Sequence, residues 1–172
     1  NFCFNLADKN NIRYKKSLGG GSLFDTGVYP IKVVQLLFGN NLMLDYSKLN
    51  FDKINKIDLS GHIVLKEKTN NITCNLSFGF ENFYQCSLEI LGDKGRIFTN
   101  RIFTCPPDVQ PEIEFYFDNQ YEKHIIPFDN HFINIFNYFF KMISERQGLD
   151  IEMSNNITFY NLLDQIIKNN KL

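Results

Sequence analysis

The sequence predicts an α+β domain: a predominantly antiparallel open sheet with helices packed on one face. Three observations support this prediction. The 172 residues, 44% of them hydrophobic, are enough for one domain with a substantial core. The middle of the chain alternates apolar and polar residues between short turns, which is the period of a β-strand. Three other segments predict helices, one from an apolar run and two from apolar residues at helical spacing.

The N-terminal part of the chain predicts one strand and one helix. Apolar and polar residues alternate over residues 1–7, which indicates a strand. An apolar run then predicts a helix over residues 23–38, with Gly39 as its C-cap. Pro30 lies inside this run, so we expect either a kink or a regular helix that begins near Thr26.

The central part of the chain predicts an antiparallel meander, because its apolar–polar segments are joined by short turns. Together with residues 1–7, these segments give a sheet of about six to eight strands. One side of the sheet carries small and polar residues, and we expect it to lie bare. The predicted strands of this part cover residues 42–49, 57–65, 72–80, 84–91, 96–99, 113–117 and 121–128.

Two helices are predicted at the C-terminal end. The first begins near Asp129–Asn130 and ends before Gly148, and the second has Ser154 or Asn155 as its N-cap. Both carry an apolar stripe that one face of a helix would present to a core. The stripes comprise Phe132, Ile135, Phe136, Phe139 and Ile143 in the first helix, and Phe159, Leu162, Leu163, Ile166 and Ile167 in the second.

Composition excludes several classes of function. A net charge of −1 gives no electrostatic basis for binding nucleic acid or an anionic membrane. No apolar run approaches the ~20 residues that span a bilayer, and no signal peptide begins the chain, so we expect a cytoplasmic protein. No metal site, zinc site or disulfide framework is predicted, because the relevant residues lack ligand spacing. These residues are His62, His124, His131, Cys3, Cys74, Cys86 and Cys105.

The most informative segment is residues 19–39. Gly19–Gly21 remove side chains from a stretch of backbone, so that another group can approach it closely. Asp25 and Tyr29 follow four residues apart, which places both on one face of the predicted helix. The pattern predicts a polar pair on the first turns of a buried helix. The alternative is an aspartate that caps the helix and a tyrosine packed in the core.

Residues 19–29, Gly-Gly-Gly-Ser-Leu-Phe-Asp-Thr-Gly-Val-Tyr, resemble a segment of the Gfo/Idh/MocA oxidoreductases. The second domain of these enzymes carries Gly-Gly-Gly-x-Leu-x-Asp-x-Gly-x-His/Tyr. The resemblance implies NAD- or NADP-dependent hydride transfer at a ring carbon of a sugar, inositol or sugar nucleotide. It extends along the chain through residues 11–13, 57–58 and 92–97, and residues 101–108 resemble the sugar-nucleotide ketoreductase branch.

The chain lacks the Gly-x-Gly-x-x-Gly turn and the Glu-Lys-Pro segment of the family's first domain. The resemblance therefore implies that residues 1–172 form a single C-terminal domain, taken from a longer protein or naturally truncated. NAD or NADP would be bound mainly by the N-terminal dinucleotide-binding (Rossmann) domain, so this chain alone is expected to be inactive. In relatives the bare sheet face makes the oligomer contact, which implies a homo-oligomer here.

The resemblance also implies roles for individual residues. Tyr29 would be the acid/base group, although many family members have histidine there, and Asp25 would hydrogen-bond a substrate hydroxyl or the missing lysine. The glycines would let the nicotinamide or sugar ring approach. Three cations are candidate substrate ligands or, alternatively, surface charges. These are Arg13 and Lys15, spaced to share one side of an extended segment, and Arg101.

One other function fits the same sequence. A degenerate relative could keep the sheet as a non-catalytic oligomerisation module, or bind a sugar without chemistry. An upstream Glu-Lys-Pro lysine would favour the enzyme, and an unrelated upstream domain would favour the module.

Overall fold

The computed structural model describes residues 1–170, which form nine strands and three α-helices. The α+β fold class is thereby confirmed. The chain divides into two compact units. Unit 1 comprises Asn1–Gln85 together with the chain from Met153 onward, and unit 2 comprises Cys86–Glu152.

The helices are α1 (Val28–Phe38), α2 (His131–Glu145) and α3 (Leu149–Asn169). None of the helices in residues 1–170 has the length and hydropathy needed to cross a membrane. The strands are β1 (Phe2–Cys3), β2 (Leu42–Phe51), β3 (Asp58–Glu67), β4 (Ile72–Gly79), β5 (Gln85–Cys86), β6 (Leu88–Leu91), β7 (Gly95–Thr99), β8 (Glu112–Phe117) and β9 (Gln120–Ile125).

The strands form two sheets, where the sequence predicted one. The first has the order β2-β3-β4-β1-β5, and the second is the antiparallel meander β6-β7-β8-β9. Strands β2, β3 and β4 are antiparallel neighbours as predicted. The meander stops at β4 because β1 pairs with its free edge in parallel, with Phe2 opposite Phe78. The chain that follows β4 therefore has no edge of that strand left to pair with.

Unit 1 has a continuous apolar core between its helices and β2–β4. Helices α1 and α3 bury one face each, and β3 contributes two residues that are completely buried, Ile63 and Leu65. On the opposite side of the sheet, Thr73 and Asn75 are exposed, as the alternation predicted. The helices of this unit pack on one face of its sheet.

The helix predicted from residue 23 begins with a π-helical turn, Leu23–Gly27, and becomes α-helical only at Val28. Pro30 is then the third residue of α1, directly after the π-helical turn, so the regular helix begins near the position that the proline predicted. A Cβ at Gly27 would meet the ring of Phe78, so the π-turn approaches β4 closely there.

Helix α3 begins at Leu149, several residues before the predicted N-cap at Ser154 or Asn155. The prediction was wrong because polar residues inside this helix look like capping residues in the sequence. In the structure both residues lie inside the helix, and Asn155 Oδ1 accepts a hydrogen bond from Asn40 Nδ2. The carbonyl oxygen of Asn155 accepts a hydrogen bond from Gln35 Nε2 of α1 at 2.7 Å.

Helix α2 lies where the sequence predicted it. Asn130 is its N-cap, and its side chain accepts hydrogen bonds from the amides of Phe132 and Ile133. Most of its apolar residues are nevertheless exposed, and within the helix Met142 alone is buried. The exposed apolar side chains are Phe132, Ile133, Ile135, Phe136, Tyr138, Phe139, Phe140 and Ile143.

Candidate functional site

The glycine turn, Gly19–Gly21, folds back on the segment before it. That segment forms two short 3₁₀ turns, Ile12–Tyr14 and Lys16–Leu18, so the extended stretch predicted for Arg13 and Lys15 was wrong. Asn11 starts the first turn by accepting a hydrogen bond from the Arg13 amide. The two turns bring the glycines into contact with the backbone of Arg13 and Lys15.

Two of the glycines are needed for this folding. The amide of Gly21 donates to the carbonyl of Arg13, and that of Gly20 to the carbonyl of Lys15, both at 3.0 Å. A Cβ at Gly20 would meet the Arg13 backbone, and one at Gly21 would meet the carboxylate of Asp58. These amides are therefore engaged within the loop and do not point to a ligand.

Gly19 differs from its two neighbours. It has a positive φ of 77°, and a Cβ there would meet nothing within 4 Å. Backbone is therefore open to close approach at this residue, although its amide donates to the carbonyl of Lys16. The approach of a nicotinamide or sugar ring to the glycines stays a prediction, and Gly19 is where the surface allows it.

Asp58, at the start of β3, fixes the beginning of the helix. Its buried carboxylate accepts hydrogen bonds from Ser22 Oγ at 2.8 Å and from the Leu23 amide at 2.5 Å. Burial raises the pKa of Asp58, and these hydrogen bonds oppose that rise. The carboxylate thus caps the π-turn from a strand. No local pattern signals this role, because the partners lie far apart along the chain.

Arg13 and Asp25 form an ion pair beside the glycine turn. Arg13 Nε lies 2.8 Å from Asp25 Oδ1, although the N–H bond does not point straight at the oxygen. The close contact with Asp25 and its negative charge raise the pKa of the Arg13 guanidinium. The Asp25 side chain remains 26% exposed. A permanently charged guanidinium therefore holds an accessible carboxylate in place.

Tyr29 lies one helical turn beyond Asp25, on α1. Its ring packs edge-on against Phe2, with the ring centroids 5.0 Å apart and an interplanar angle of 76°. The charge of Tyr29 also raises the pKa of Arg13, so the two groups lie within electrostatic reach of each other. Tyr29 is 41% exposed. The alternative interpretation required a tyrosine packed in the core, and neither Tyr29 nor Asp25 is buried there.

Two clefts in unit 1 lie beside Arg13, Asp25 and Tyr29. The glycine cleft, of about 150 Å³, has Arg13 and Asp25 among its walls. The α1–α3 cleft, of about 320 Å³, contains Tyr29 and a cation that the sequence analysis did not single out, Lys32. Lys32 was missed because it lies in an apolar run, although its i+3 spacing from Tyr29 was a usable signal.

The remaining candidates lie elsewhere. Lys15 is exposed and is not part of either cleft wall. Arg101 belongs to unit 2, where it lines a separate cleft of about 310 Å³ together with Asp129 and His131. In the part of the chain that is described, no group of histidine, cysteine or acidic side chains is arranged to hold a metal ion.

Residues 1–98 match the family model described as the GFO/IDH/MocA C-terminal domain. This match covers more than half of the chain. The chain belongs to the GFO/IDH/MocA family.

Two curated relatives of this chain carry the same described activity. A dTDP-3,4-didehydro-2,6-dideoxy-alpha-D-glucose 3-reductase from Actinomadura kijaniata is 32% identical over 124 residues, which are 72% of this chain and 37% of that protein. The protein of the same name from Streptomyces violaceoruber is 30% identical, over 69% of this chain and 34% of its own length. The chain thus spans little more than a third of the curated relatives it matches.

A solved structure has the same fold. KijD10, a 3-ketoreductase from Actinomadura kijaniata in complex with NADP and TDP-benzene, superposes with a TM-score of 0.91 at 26% sequence identity. The match covers 97% of this chain and 51% of that one. Unlike the family model, which ends at residue 98, this similarity extends over nearly all of the chain.

Proposed function

We propose that this chain is the substrate-binding and catalytic domain of an NADP-dependent oxidoreductase that reduces a ring ketone of a nucleoside diphosphate sugar. The observation that carries the proposal is the accessible Asp25–Tyr29 pair, with Arg13 in ion contact, on the helix that follows the glycine turn. The substrate class and the ring position C3 are taken from the relatives, which are 3-reductases of dTDP-linked sugars.

In this proposal Tyr29 donates the proton that the substrate oxygen requires. Hydride addition to a ketone carbon leaves an alkoxide, and transfer of the phenol proton to that oxygen completes the alcohol. A positioned acid of this kind accelerates proton transfer by typically 10²–10⁴-fold. The tyrosinate that remains is exposed to water, from which it takes up a proton again.

Asp25 orients the reacting sugar. One carboxylate oxygen faces Arg13 at 2.8 Å, and a carboxylate has further lone pairs with which to accept a hydrogen bond from a sugar hydroxyl. Arg13 keeps its charge throughout the usable pH range and holds the Asp25 carboxylate in place. Asp25 is therefore an acceptor for the substrate, and Tyr29 is the proton donor.

When bound, NADPH would supply the hydride. The residues of this chain fit only the edge of such a cofactor, because the glycine cleft of about 150 Å³ is far smaller than a dinucleotide. Gly19, Ile12 and Leu18 offer open backbone and exposed apolar surface of the kind that a nicotinamide ring can lie against. The remaining binding surface is assigned to an N-terminal dinucleotide-binding domain of the same protein, and this chain alone is expected to be inactive.

The test is made on the complete protein that joins this chain to such a domain. NADPH oxidation is followed with a panel of keto-sugar nucleotides for wild type, Tyr29→Phe and Asp25→Asn. We expect kcat to fall 10²-fold or more for Tyr29→Phe, since the proton donor is removed. Asp25→Asn should mainly raise KM. Unchanged turnover in both variants would refute the site assignment.

Two further features belong to the proposal. The exposed polar face of the first sheet, which includes Thr73 and Asn75, is proposed as the contact of a homo-oligomer. A wild-type protein that turns over no keto-sugar nucleotide in the panel would instead support a non-catalytic oligomerisation or sugar-binding module. The mass of the complete protein in solution tests the oligomer.

A further inference from the structure

The α1–α3 cleft lies directly beside Tyr29 and has the composition of a ligand site. Apolar and aromatic walls with a few polar groups, in a volume of a few hundred Å³, are typical of small-molecule sites. This cleft of about 320 Å³ fits that description. Its walls are formed by Val28, Tyr29, Lys32, Asn156, Phe159 and Tyr160.

Among these wall residues, Lys32 carries the single formal charge. Its ammonium lies 5.4 Å from the centre of the Phe159 ring and 3.3 Å from Asn156 Oδ1. The aromatic face and the amide hold the cation at the cleft without neutralising it. A half-buried ammonium that faces no carboxylate within its own cleft is suited to bind an anion.

The position of Lys32 indicates which anion. Lys32 follows Tyr29 by three residues on α1, which places the two side chains on one face about 4.5 Å apart along the helix axis. In a nucleoside diphosphate sugar only C2, C1 and one oxygen separate a C3 ketone from the first phosphorus. A sugar whose C3 oxygen meets Tyr29 therefore has its diphosphate within reach of the lysine side chain.

Tyr160 offers a surface for the other end of such a ligand. It is exposed at the cleft and lies next to Phe159, with the two rings edge to face at 5.9 Å. Nucleobases stack on exposed aromatic side chains of this kind. The wall thus contains a cation for phosphate and, beside it, a ring for a base.

We infer that the α1–α3 cleft binds the nucleoside diphosphate part of the substrate, with Lys32 contacting the diphosphate and Tyr160 stacking on the base. This inference rests on the proposed function, because it is Tyr29 that fixes the position of the sugar. The specificity of the site for nucleotide-linked rather than free sugars then resides in this chain.

Calorimetric titration of this 172-residue chain with thymidine diphosphate tests the inference without any turnover. We expect saturable binding of thymidine diphosphate that Lys32→Gln weakens about tenfold or more, since a charged phosphate contact is lost. Lys32→Arg should bind within about threefold of wild type. Tyr160→Ala should weaken thymidine diphosphate but leave the binding of inorganic pyrophosphate unchanged.

Lys53→Gln is the matched control, because Lys53 is an exposed lysine of unit 1 outside the cleft. It should bind like wild type, and the melting temperatures of all variants should agree. The inference is overturned if millimolar thymidine diphosphate does not bind, or if Lys32→Gln and Lys53→Gln have the same effect.

Failure of this inference is separable from failure of the proposed function. If the complete protein reduces a keto-sugar nucleotide and Lys32→Gln leaves the KM unchanged, the proposed function stands and the assignment of the α1–α3 cleft is refuted. A chain that binds thymidine diphosphate through Lys32, in a complete protein that reduces no ketone, would retain the cleft and refute the reaction.

Discussion

Helices α2 and α3 carry apolar stripes of similar spacing, but the structure buries only the stripe of α3. Leu163 and Ile166 of α3 are 1% and 0% exposed, in the core of unit 1. Phe136 and Phe139 of α2 are 60% and 56% exposed. An apolar stripe thus predicts a helix reliably, whereas its burial depends on whether a sheet or helix of the same chain lies against it.

The largest expected effect tests the buried side of this comparison. Leu163→Ala should lower the free energy of unfolding by about 2–5 kcal/mol, because it opens a cavity in the core of unit 1. Ile157→Ala is the control on the same helix, where an exposed side chain is removed, and it should change stability by less than about 0.5 kcal/mol. Urea denaturation measures both. Equal losses would contradict the assigned burial.

A smaller effect concerns Asp58 and Glu67, two carboxylates of β3 whose pKa values are shifted in opposite directions. Burial raises the pKa of Asp58, whereas hydrogen bonds from the amides of Asn70 and Thr69 lower the pKa of Glu67. When folding raises the pKa of a group, the stability that this group contributes is lost as the pH rises through the folded-state pKa. When folding lowers the pKa, the contributed stability is lost as the pH falls through the folded-state pKa.

Relative to wild type, Asp58→Asn should therefore become less stable as the pH is lowered towards 4 and below, and Glu67→Gln should become less stable as the pH is raised above about 4. Urea midpoints between pH 3 and 7 measure both differences. Parallel curves for the two variants would contradict the opposite shifts.

The smallest expected change in stability is on α2. Replacing Phe132, Phe136 and Phe139 together by serine should change the free energy of unfolding by no more than about 0.5 kcal/mol per site, because these rings are exposed. The fluorescence of a dye that binds exposed apolar surface should fall by half or more. Lys141→Ser, on the polar side of the helix, is the control. Loss of cooperative unfolding in the triple variant would show that the stripe is packed.

Local patterns predicted most of the fold. Alternation and turn residues located all nine strands of the described residues within eight predicted segments, one of which covers both β5 and β6, and the cap at Asn130 located α2. Contacts between distant segments were not predictable in this way. The parallel pairing of Phe2 with Phe78 closes the edge of β4 and divides the sheet, and nothing near either residue signals it.

The candidate site shows the same limit. The spacing predicted Asp25 and Tyr29 on one face of a helix; in the structure both are accessible, and they line two different clefts. The ion pair from Arg13 depends on the fold of the glycine turn, and the cap from Asp58 depends on β3, so neither is written in the local sequence. The spacing of Lys32 from Tyr29 was visible in the sequence. The cleft that contains both was not, because its opposite wall comes from α3.

The π-turn at Leu23–Gly27 joins the glycine turn to α1, the helix that carries Tyr29. Its five-residue turn, closed by the Val28 amide on the Leu23 carbonyl, holds one residue more than an α-helical turn would. Deleting a single residue here would remove the extra residue that the wide turn accommodates and restore ordinary α-helical winding. The path from the glycine turn to Tyr29 would then be one residue shorter, so the length of this stretch, as well as the identity of its side chains, positions the glycine turn relative to Tyr29.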